Sequence, residues 1–175
     1  MTVQTKVKLK RYAVYGVIIL LAHILQNILT IFPQIASVRP VLLISVAVCI
    51  SMFEGEVVGT VVGLLSGALW DTLTVTADGY NAVYLMIACA FCGVMLRIFM
   101  RNNIITFIMM NTGITMLYFL TYVLFFITAR GIDGGAGMLL RYYLPMTIYS
   151  LVLTPVVYWL IRAVNRKFSY DYTEY

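Results

Sequence analysis

The sequence predicts an all-α polytopic membrane protein with six transmembrane helices. Three observations carry that expectation. Of its 175 residues 62% are apolar and only 11% are charged, whereas a soluble domain carries about 25% charged residues and needs them to cover its water-facing surface. The apolar residues fall into long runs free of Asp, Glu, Lys and Arg, broken by short charged or glycine-rich stretches. The cations cluster on alternate breaks, as the positive-inside rule requires. A helix crossing ~30 Å of hydrocarbon needs about 20 residues, so the chain has no room for a large soluble domain beside its spans.

Residues 1–11 hold Lys6, Lys8, Lys10 and Arg11 and read as a basic cytoplasmic N-terminus. The first span, 12–32, is too long for the apolar part of a secretory signal and lacks a cleavage site after it. The second and third spans, 40–53 and 57–70, are short, and reading them as one helix would leave Glu54 and Glu56 in hydrocarbon at a cost of several kcal/mol. A helical hairpin turning at Glu54-Gly55-Glu56 is therefore expected. The fourth span covers 80–97 and is closed by Arg97 and Arg101, and the fifth covers 103–129. A glycine-rich loop then leads to the sixth, 141–161, and to a polar, tyrosine-rich cytoplasmic tail at 163–175. With six spans and both termini in the cytoplasm, Lys6, Lys8, Lys10, Arg11, Arg97, Arg101, Arg162, Arg166 and Lys167 lie inside, and only Arg39, Arg130 and Arg141 lie outside. The net charge of +5 thus reports topology, and no nucleic-acid partner is expected.

The sharpest local pattern is Gly55, Gly59, Gly63 and Gly67, continued at the same spacing by Asp71. Glycines four apart line one helix face and let a neighbouring backbone approach closely, either within the bundle or on a partner. Asp71 reads as a polar anchor at the outer interface or as an ordinary loop charge. In the first span His23, Gln26, Asn27 and Thr30 form a single polar face, expected to point to the bundle interior or to another chain. Asn111, Thr115, Tyr118 and Tyr122 make a weaker one.

No catalytic, cofactor or metal site is expected. There is a single histidine, and His23 lies at mid-span while Asp71 and Asp78 lie at an outer edge. Cys89-x-x-Cys92 sits inside a span with no cation beside it to lower a thiol pKa. The membrane runs contain no Asp, Glu, Lys or Arg for proton or ion coupling.

As a string, the stretch from Gln26 to Gly93 resembles the rod shape-determining protein MreD family. The residues are Gln26, then Pro40-Val41-Leu42-Leu43, then Gly55 and Gly59, then Gly63-Leu64-Leu65-Ser66-Gly67-Ala68-Leu69-Trp70-Asp71, and finally Asp78-Gly79-Tyr80-Asn81-Ala82. Pro40, Gly79 and Asn81 belong to the motif; Val41 and Tyr80 depart from it, standing where the family usually has Asp and a small or aliphatic residue. The resemblance implies a bacterial inner-membrane scaffold of the cell-elongation machinery that is not an enzyme and helps to direct peptidoglycan synthesis. Its implied partners are MreC and, through it, MreB, RodA and an elongation penicillin-binding protein. It also implies a fold similar to the substrate-binding subunits of energy-coupling-factor vitamin transporters, which makes vitamin capture the rival function.

Overall fold

Glycine, uncharged runs and a few carboxylates set where the helices begin and end. The structure, a computed structural model, describes residues 3–27, 40–73, 79–99, 102–128, 137 and 139–170. Among them there are six α-helices and no strand: α1 (Val3–Asn27), α2 (Leu42–Glu54), α3 (Glu56–Asp71), α4 (Tyr80–Ile98), α5 (Ile104–Tyr122) and α6 (Leu144–Tyr170). Helix α5 continues into a π-helical stretch, Val123–Thr128, and another, Leu139–Tyr143, leads into α6. Successive helices run in opposite directions, so Arg11, Glu54, Glu56, Arg97 and Asn165 meet at one end and Gln26, Leu43, Asp71 and Asn81 lie toward the other.

Helix α2 is the axis. Leu-Leu-Ile-Ser-Val-Ala-Val-Cys-Ile-Ser-Met is apolar on every side, and a helix of that kind is stable only when surrounded. Every residue from Val41 to Met52 is buried, within a ring made by α1, α3, α4, α5 and α6. The exposed apolar residues lie on the outer faces of the ring, among them Val17, Leu21, Val83, Phe91, Val152 and Trp159. Among the described residues three helical stretches, Tyr80–Ile98, Ile104–Ile127 and Arg141–Phe168, are long and apolar enough to cross a membrane. At ~1.5 Å per residue α2 and α3, with 13 and 16 residues, reach only about 20 and 24 Å.

Helix α2 gives way to α3 through a single residue. Gly55 has φ +87° and ψ −175°, a region that side-chain-bearing residues avoid, so the hairpin turns without a loop. Two boundaries differ from the sequence expectation. Helix α1 starts at Val3 rather than 12, so the basic N-terminal segment is itself helical. Helix α6 runs to Tyr170, through much of the expected tail at 163–175, because its basic residues extend the helix past the apolar run with their heads in water. Thr30 and Asp78, and the loop cations Arg39, Arg101 and Arg130, lie outside the described residues.

Candidate functional site

The glycines of α3 form a seam that faces inward. A Cβ on Gly59 would meet the Ser51 side chain of α2, one on Gly63 the Leu85 carbonyl of α4, and one on Gly67 the Asn81 carbonyl and the Ala82 backbone. Helix α4 answers with Gly93, where a Cβ would stand 2.6 Å from Glu56 Cα. The two backbones are therefore in contact over most of their length, which is how dispersion binds helices in lipid. Ser51 crosses the seam, its hydroxyl donating to the Cys89 carbonyl at 2.5 Å. Val57, Val61, Leu64 and Leu65 occupy the opposite, exposed face of α3.

Asp71, at the end of the glycine line, bonds α4. Its carboxylate accepts from the backbone N–H of Asn81 at 3.3 Å and of Ala82 at 2.9 Å, orphan donors of the first turn of a helix whose N-cap, Gly79, has no side chain. The negative charge also faces the positive end of the α4 dipole. Asp71→Ala is expected to lower stability by about 1 kcal/mol, seen as a lower Tm of the purified protein, with Asp71→Asn intermediate. An unchanged Tm for Asp71→Ala would remove the cap from the account.

Asn81, next to that cap, accepts the Tyr118 hydroxyl at 2.6 Å. Tyr118 stacks on Trp70 with ring centroids 5.3 Å apart, while Tyr80 and Tyr122 meet Phe126 at 5.2 and 4.9 Å. This aromatic layer joins α3, α4 and α5 at the end opposite Arg11.

Several polar residues of the spans serve α2. Gln26 is buried, and its side-chain oxygen accepts the Leu43 N–H at 3.0 Å. Ser150 of α6 accepts the Val41 N–H at 2.7 Å. The start of α2, which has no side-chain cap of its own, is thus capped by α1 and α6. Deeper down, Asn111 donates to Ser45 and Thr154, each at 3.0 Å. The expected polar face of the first span does not act as one unit. Of its described residues Gln26 is buried, Asn27 bonds back to the His23 carbonyl of its own helix at 2.7 Å, and His23 is half-buried with its Nδ1 enclosed.

The other end carries a charged cluster that spacing did not reveal. Arg11 donates to Glu54 Oε2 at 2.6 Å, with side chains only 15% and 4% exposed. Tyr15 donates to Glu54 Oε1 at 3.0 Å, and Asn165 reaches the same oxygen at 3.5 Å. One carboxylate therefore gathers α1, α2 and α6. Beside it Glu56 pairs with the exposed Arg97; its own backbone N–H, then Arg97, hold its carboxyl below the usual glutamate range. A buried Glu54 was foreshadowed by one signal alone, an acid and a cation that topology places on the same side of the membrane.

The arrangement holds helices together. Among the described residues no group of three His, Cys, Asp or Glu could hold a metal ion. Cys49, Cys89 and Cys92 are free and buried. Pro40 is buried at the entrance to α2.

The family model for rod shape-determining protein MreD matches residues 8–168. No curated protein and no solved structure matches, so the likeness to energy-coupling-factor subunits rests on the sequence resemblance alone.

Proposed function

Because the chain belongs to the rod shape-determining protein MreD family, we propose that it is a non-catalytic scaffold of the bacterial cell-elongation machinery that binds MreC and, through it, MreB, RodA and an elongation penicillin-binding protein. It sits in the cytoplasmic membrane with six crossings and both termini inside, and it helps to direct peptidoglycan synthesis. The observation that carries the reading is the family match over nearly the whole chain, from residue 8 to 168.

The geometry supports it in kind. Gln26, Ser51, Asp71, Asn111 and Ser150 bond other helices of the bundle, and the outer faces of the helices are largely apolar. Residues Gly55, Gly59, Gly63, Gly67 and Asp71 act in this reading as the internal frame that holds the contact surface in shape. Grooves on that surface, such as the one of about 400 Å³ lined by Tyr84, Phe91, Met109 and Leu117, have the apolar character of a helix-facing site.

The test is genetic and biochemical. Cells depleted of the chain should widen and round up, the full chain should restore rods, and MreC should co-purify with it from detergent extracts. Cells that keep a constant width during depletion, with no MreC recovered, would overturn the proposal. A vitamin at nanomolar level that raised the Tm of the purified protein would favour the transporter reading instead, since a ligand at a hundredfold excess over Kd adds ~2.7 kcal/mol.

A further inference from the structure

A groove of about 300 Å³ runs between α1 and α3, lined by Tyr12, Gly16 and Ile19 on one side and by Val57, Val61 and Leu65 on the other. Gly16 leaves open space beside it, since a Cβ there would meet nothing within 4 Å. The floor is apolar and the groove opens onto the outer face, where Val57 and Val61 are exposed. It lies in the half of the bundle that ends at the Arg11–Glu54 and Glu56–Arg97 pairs.

The mouth is cationic. Lys8, Tyr12, Gly16 and Ile19 are spaced by four, four and three residues and share one face of α1, so Lys8 stands one turn beyond the groove toward that end. Lys8 and Lys10 are exposed. The described carboxylates at this end already have cations, Glu54 holding Arg11 and Glu56 holding Arg97, which leaves Lys8 for an outside anion. An apolar slot beneath a lysine has the two-part chemistry of an anionic phospholipid, with acyl chain below and phosphate above.

We propose that the α1–α3 groove binds one anionic phospholipid of the leaflet it faces, its acyl chain lying over Gly16 and its phosphate held by Lys8. A partner helix in the same groove would gain nothing from a lysine at the mouth unless it carried its own acid there. The charge complementarity favours the lipid.

The test uses the purified full chain in detergent, with dioleoylphosphatidylglycerol or dioleoylphosphatidylcholine added and Tm and native mass spectra recorded. Phosphatidylglycerol should raise Tm and leave one retained lipid per chain; phosphatidylcholine should do neither, and inorganic phosphate alone should do nothing. Gly16→Leu fills the groove, and its lipid-free Tm should stay near that of the parent while the phosphatidylglycerol shift is lost. Lys8→Glu changes only an exposed side chain and should bind phosphatidylglycerol at least tenfold more weakly. Equal shifts from the two lipids, a full shift from phosphate alone, or an unchanged preference in Lys8→Glu would overturn the proposal. So would a Gly16→Leu protein that keeps its lipid but no longer captures MreC, which would assign the groove to a partner helix.

Discussion

Gly63→Leu is expected to abolish recovery of a monodisperse protein, and Gly63→Ala to lower stability by about 2 kcal/mol. The Cβ at this position points at the Leu85 carbonyl of α4, and a backbone atom cannot rotate out of the way as a side-chain tip can. The added atoms must therefore push α3 and α4 apart, and the loss spreads to Gly67 and Gly93, which hold the same two backbones together. Gly59→Ala should be milder, since its nearest obstacle is the Ser51 hydroxyl, although moving it breaks the bond to the Cys89 carbonyl. Gly113→Ala is the control: nothing lies within 4 Å of its Cβ, and alanine is the better helix former. Thermal unfolding after size-exclusion chromatography reads all four, and a Gly63→Leu protein with the parent's Tm would sink the account of the seam.

Glu54→Gln carries the second large effect, a destabilisation of about 3 kcal/mol. The mutation removes the charge that faces Arg11 in a nearly enclosed site, and among the described residues the guanidinium forms no second salt bridge. Tyr15→Phe, which deletes one hydroxyl bond to the same carboxylate, should cost about 1 kcal/mol. Adding Arg11→Met to Glu54→Gln should recover part of the loss, because no buried charge is then unpaired. Glu56→Gln, at the neighbouring exposed pair, should change little. If Glu54→Gln and Glu56→Gln had equal effects on Tm, burial would not be what matters at this end.

Much of this architecture was legible in the residues before any coordinates. Charge-free runs set the helical class, and the two carboxylates around Gly55 located the hairpin, because hydrocarbon excludes them. The four-residue spacing of glycine showed that α3 has a face made for close approach. Spacing could not say what approaches it, since periodicity gives a face and not its partner. The pairs that fix the bundle lie far apart in the chain: Arg11 and Glu54 by 43 residues, Ser45 and Asn111 by 66, Val41 and Ser150 by 109. Asp71 read equally well as a loop charge, and only the return of α4 onto the seam made it a cap. Gln26 stood out as polar, but that it caps α2 came from the backbone N–H of Leu43, 17 residues on, which spacing does not place.

The burial of α2 bears on the order in which the protein is made. The helix emerges early, yet the acceptor for the Val41 amide is Ser150 and the donor to Ser45 is Asn111, both supplied by helices synthesised after it. Until the C-terminal half arrives, an apolar helix with unpaired groups at one end must wait among lipids that offer no hydrogen bonds. Closure around the axis is therefore a late event, and a nascent chain that stops before Ser150 lacks the piece that completes its own centre.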